Sequence, residues 1–128
     1  MPRPLKLGER EMSLDAHAEH FADGRWKKID MPDEDWCSLG HEIKRQTFYG
    51  SEETKKLGLK ILPTLADTDI YTEGFDQLET LEAEVKILLN SVDLTDDDRY
   101  YWPARFGYLL RVIEAAKQYG DGGRVVIG

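Results

Sequence analysis

Two stretches in the C-terminal half repeat their apolar residues at helical spacing, and together they leave few folds open. In "GFDQLETLEAEVKILLNSV", Leu78, Leu81, Val85, Leu88 and Val92 form one stripe with Leu89 at its edge. Asp76, Glu79 and Glu84 fall off that stripe, and Glu82 stands four residues before Lys86, the spacing of a helical ion pair. In "PARFGYLLRVIEAAKQYG", Phe106, Leu109, Leu110, Ile113 and Ala116 form a second stripe. Pro103 suits a first helical position, and Gly120 suits the left-handed residue after the last turn. Two amphipathic helices of similar length need a common layer to cover their apolar faces.

The chain ends "GDGGRVVIG", where Val125, Val126 and Ile127 after a glycine turn read as a short buried strand. A strand needs a partner, and "RWKKI" (25–29) and "LKILP" (59–63) are the candidates. "SLDAHAEHFADG" (13–24) reads as a short helix capped by Ser13 and stopped by Gly24. "SEETKK" (51–56) reads as a helical turn capped by Ser51. Residues 33–49 carry two signals. Pro32, the acids that follow it, the later bases and Gly50 favour a helix with Trp36, Leu39 and Ile43 on its face. "EIKRQTFY" alternates like a strand, and of the two the helix is preferred. The expected fold is α+β: a predominantly helical single domain over residues 1–128, with two C-terminal amphipathic helices and a small sheet that includes the C-terminal strand. The length of 128 residues suits one core and not two.

Charge has a location as well as a size. The net charge is −8, yet residues 1–60 hold 12 acids against 11 bases. Between residues 67 and 98 there are 11 acids and a single base, Lys86. Such a surface repels nucleic acid and anionic membranes and attracts basic proteins or cations. The longest apolar runs ("YLL", "ILL", "VVI") are far short of a membrane helix. "MPRPLKLGEREMSL" lacks the apolar core of a signal peptide, and Cys37 is the only cysteine, so a cytoplasmic location is expected.

The acid run culminates in "SVDLTDDDRYYWPARF" (91–106). Thr95 with Asp98 three residues on resembles a capping box, and aspartates before a helix are stabilised by its exposed N–H groups. A calcium loop needs a glycine sixth and a glutamate twelfth; counting from Asp93 gives Asp98 and Ala104, so that reading fails. A binding surface fits better. Asp96, Asp97 and Asp98 with Asp76, Glu79 and Glu84 would steer a basic partner, and Arg99, Tyr100, Tyr101 and Trp102 have the composition of an interface core.

Other chemistry is sparsely represented. His17 with His20 and Cys37 with His41 have helical spacings that could bring four metal donors together, so a small metal-dependent enzyme is the alternative. An oligomeric subunit pairing through a leftover apolar helix face near Ile87 is another. There is no GxSxG elbow, and "GDGGR" lacks the lysine of a phosphate-binding loop. No cofactor is implied.

The C-terminal run "LETLEAEVKILLN" followed by "ARFGYLLRVIEAAKQYGDGGRVVIG" resembles the ending of small acidic bacterial proteins, among them immunity proteins of toxin systems. The resemblance covers roughly the last 55 residues and carries no catalytic signature. It implies an intracellular, non-enzymatic inhibitor that caps a basic toxin, such as a nuclease, with an acidic surface. No residue-level motif is shared, so no functional residue carries over from it.

Overall fold

The structure is a computed structural model that describes residues 13–31, 38–91 and 102–128. Its first element is not the expected helix but a strand, β1 (Ser13–Ala22). The reason lies in the period: Leu14, Ala16 and Ala18 alternate with Asp15, His17 and Glu19, and only the first set is buried. What resembled a helix stop is a hairpin turn. Asp23 and Gly24 have φ of +56° and +81°, as a type I′ turn requires, and the chain returns as β2 (Arg25–Lys28).

β3 (Ser38–His41) pairs with the start of β1, which corrects the helix expected over 33–49. Only one π-helical turn, Arg45–Tyr49, follows it, and Ile43 is 66% exposed instead of facing a core. Trp36 lies outside the described residues. Tyr49 is fully buried, donates its hydroxyl to the Leu39 carbonyl at 2.9 Å, and meets Phe48 edge to face. α1 (Glu52–Lys56) begins as expected, with the Ser51 hydroxyl accepting the Thr54 N–H at 3.2 Å.

The segment 59–63 is not a strand. Its amides are taken by a side chain: the Glu84 carboxylate, 4% exposed, accepts the N–H of Lys60 (2.8 Å), Ile61 (2.9 Å) and Leu62 (2.9 Å). A single 3₁₀ turn, Leu62–Ala66, then leads to β4 (Ile70–Glu73), a strand in which Ile70 and Thr72 are buried and Tyr71 and Glu73 exposed. α2 (Phe75–Leu89) and α3 (Trp102–Lys117) are the two amphipathic helices, and β5 (Gly123–Ile127) closes the described chain.

The antiparallel sheet runs β2-β1-β5-β4, with β3 beside the start of β1. α2 and α3 pack on each other and on one face of it. Leu78, Leu81, Val85 and Leu88 of α2 and Phe106, Leu109, Ile113 and Ala116 of α3 are buried as their spacing requires. Val112 joins them, Leu110 is only partly buried, and Val92 lies outside the described residues. Each such aliphatic contributes about 1.5–3 kcal/mol by leaving water. Gly120 has φ +59°, the left-handed conformation its position calls for. Gly123 is a packing requirement instead, since a methyl group there would overlap the Ala116 carbonyl.

Candidate functional site

Covering one sheet face leaves the other without a helix on it among the described residues. Strand alternation sends Asp15, His17, Glu19 and Phe21 of β1 to that open face, and the register adds Trp26 and Lys28, Arg124 and Val126, Tyr71 and Glu73. Its centre is Arg124. The Arg124 Nε donates to Glu19 Oε1 at 2.6 Å, and the guanidinium lies 4.3 Å from the Trp26 ring centroid and 5.2 Å from that of Tyr71. Phe21 meets Trp26 edge to face at 5.4 Å. Phe21 is 51% exposed and Tyr71 59%, so much of this aromatic area faces water.

Glu19 ties the cluster together. Its second oxygen accepts the His17 Nε2–H at 2.7 Å. Burial alone would push the Glu19 carboxyl up, but the hydrogen bonds from His17 and Arg124, with their charge, hold it below the ordinary glutamate value. The result is a surface of aromatics gathered around a pinned arginine, with Asp15 and Glu73 exposed on the same face. Among the described residues no nucleophile–base pair is arranged on it, and its groups suit contact area and hydrogen bonding.

The site residues expected from sequence fare differently. Asp96, Asp97, Asp98, Arg99, Tyr100 and Tyr101 lie outside the described residues, and Trp102 opens α3 with only its backbone described. Asp76 and Glu79 are exposed on α2. Glu84 is corrected: it is buried on the amides of residues 60–62 and unavailable to a partner. The acid run is partly neutralised from within. Lys117 lies 2.9 Å from Glu82 and 3.7 Å from Glu79, and the Glu82 hydrogen bond raises its ammonium above the usual lysine value. Asp69 accepts from Arg45 Nη2 at 2.6 Å. Asp67, Glu73 and Asp76 have no ion-pair partner among the described residues and stay exposed.

The His17–His20 half of the metal constellation does not share one face. On a strand, His17 and His20 point to opposite sides; His17 engages Glu19, and the His20 ring stacks on Tyr119 at 4.4 Å. Cys37 lies outside the described residues, and of His41 only the backbone in β3 is described. Among the described residues no group of three or more His, Cys, Asp or Glu could hold a metal ion. No helix among them is long and apolar enough to cross a membrane. A shallow depression lined by Ile61, Asp76, Gln77 and Thr80 brings no titratable pair together.

Sequence reasoning missed Phe21, Trp26, Tyr71 and Arg124. The usable signal was the strict alternation of residues 14–19 followed by Asp-Gly, which would have placed "RWKK" opposite β1. No protein-family model, curated protein or solved structure matches the chain.

Proposed function

We propose that the protein is a non-enzymatic recognition module, acting in the cytoplasm, whose open sheet face binds and occludes a basic protein partner in the manner of a toxin-immunity protein. One observation carries this reading: Trp26, Arg124, Tyr71 and Phe21 form a contiguous cluster, with Phe21 and Tyr71 exposed, of the residue types that dominate interface cores. A soluble fold that covers one face of its sheet and leaves Phe21 and Tyr71 half in water has surface to bury on a partner. The net charge of −8, with Asp67, Glu73 and Asp76 exposed, would steer a basic partner towards it. Steering sets the association rate, and the aromatics set the lifetime of the complex.

The test is capture from the native lysate with wild-type and Trp26→Ala baits, each at low and high salt. The expected result is a basic protein held by the wild type, weakened by salt, and bound at least about 30-fold less tightly by Trp26→Ala, which is roughly 2 kcal/mol. Equal capture by both baits would remove the open face from the function.

A further inference from the structure

The sheet has two outer edges, and they are complementary. Gly74 donates its N–H to the Gly123 carbonyl at 3.0 Å, so in the β4–β5 register Gly74 and Gly123 are a hydrogen-bonded pair. Parity then turns the backbone groups of Ile70 and Thr72 towards β5 and those of Tyr71 and Glu73 outward. On the other side, Ile29 donates to the Ala18 carbonyl at 2.8 Å, which turns Arg25 and Lys27 towards β1 and Trp26 and Lys28 outward. Among the described residues no strand pairs with either outer edge.

Strand direction adds a second match. β1 and β4 run one way, and β2 and β5 the other. Moving one copy sideways across the sheet therefore brings its β2 antiparallel to the first copy's β4, with the two open faces on the same side. Tyr71 and Glu73 would meet Lys28 and Trp26, placing Tyr71 diagonal to Trp26 and Glu73 diagonal to Lys28.

Charge supplies the third match. The β4 edge and its approach carry Glu73 and Asp67, and the β2 edge carries Arg25 and Lys28, while Asp69 and Lys27 are already paired with Arg45 and Asp23. Glu73, Arg25 and Lys28 are exposed and have no ion pair among the described residues. Joining two β4 edges would oppose acids, and joining two β2 edges would oppose bases; only the mixed pairing is favourable.

We propose that copies of this chain associate head to tail, β4 of one adding antiparallel to β2 of the next, and so extend the open face across several subunits. Such a contact is heterologous, and the sheet twist decides whether it closes into a ring or continues as a filament. The contact is small, so the association is weak and concentration-dependent. It does not depend on what the open face binds.

Sedimentation of the purified protein at low ionic strength tests it. The expected weight-average mass at least doubles from 14.7 kDa between about 10 µM and 1 mM, the range of a small transient interface, and falls back in high salt. Glu73→Lys sets a lysine against Lys28 of the next copy and Lys28→Glu sets a glutamate against Glu73, so each alone stays at the monomer mass. An equimolar mixture of the two restores association, because the reversed edges are again complementary, and that recovery also shows both variants to be folded. The amide exchange of Tyr71 and Glu73 in the wild type should slow with concentration. A wild type that stays monomeric to 1 mM overturns the proposal, as do variants that associate like the wild type, a mixture that stays monomeric, or unchanged amide exchange.

Discussion

The two faces of the sheet come from the same strands and the same alternation, yet they are built on different physics. The inner face carries Leu14, Ala16, Ala18, Ile70, Val125 and Ile127, small or aliphatic and nearly dry. The outer face carries Phe21, Trp26, Tyr71, Arg124 and Glu19, larger, partly wet and joined by directional contacts. Helices approach the first so closely that at Gly123 a single methyl group would not fit. The second has no helix against it among the described residues. The inner face holds the fold through area and volume, which tolerate little change. The outer face holds mostly itself, through a guanidinium pinned by one carboxylate and two rings. Removing a residue from the first should cost stability, and removing one from the second should cost binding.

The sharpest way to break this contrast is Gly123→Ala. The added methyl meets the Ala116 carbonyl, which is backbone, so α3 must shift off β5. The expected loss is at least about 3 kcal/mol, read by chemical denaturation. Glu84→Ala should follow, at about 2–3 kcal/mol. It empties the acceptor for the amides of Lys60, Ile61 and Leu62 and leaves buried donors without partners. A variant as stable as the wild type would show that water replaces the carboxylate there.

Glu84 also marks where the sequence was opaque. The α2 and α3 stripes were legible because burial of Leu78, Leu81, Val85 and Leu88 against Phe106, Leu109 and Ile113 needs only helical spacing. β5 was legible for a similar reason, a short apolar run behind glycines. β1 was not, because Ser13 and Gly24 imitate a helix cap and stop, and a β-hairpin with an Asp-Gly turn places polar residues at similar intervals. Glu84 was misread as surface because spacing cannot foresee that three amides of a distant loop converge on it. The partial neutralisation of the acid run was hidden for the same reason: Lys117 and Arg45 are far in sequence from Glu82 and Asp69 but adjacent in space. The Trp26, Arg124 and Tyr71 cluster spans three strands, so nothing short of the sheet register could assemble it.

On the outer face the expected stability effects are smaller. Trp26→Ala should lower stability by about 1 kcal/mol, since its ring is only half-buried and its contacts are to Phe21 and Arg124. A loss as large as that of Gly123→Ala would mean that the open face is part of the core after all, and the contrast would fail.

The smallest effect is in the pH dependence of Glu19. Its folded-state carboxyl lies below the ordinary glutamate value because His17 and Arg124 outweigh its burial. A depressed carboxylate stabilises the fold fully above the unfolded value, about 4.3, and that contribution is lost as pH falls through the lower folded value. Arg124→Leu removes one donor and one charge, so the Glu19 carboxyl should move up, as followed by carbon NMR, and the acid-side loss of stability attributable to it should shrink. At neutral pH the change should be modest, because the pair is partly solvated and an exposed aromatic face gains a leucine in place of a cation. An unmoved Glu19 would assign its depression to His17 alone, and the arginine would then be held over Trp26 and Tyr71 for its rings more than for its carboxylate.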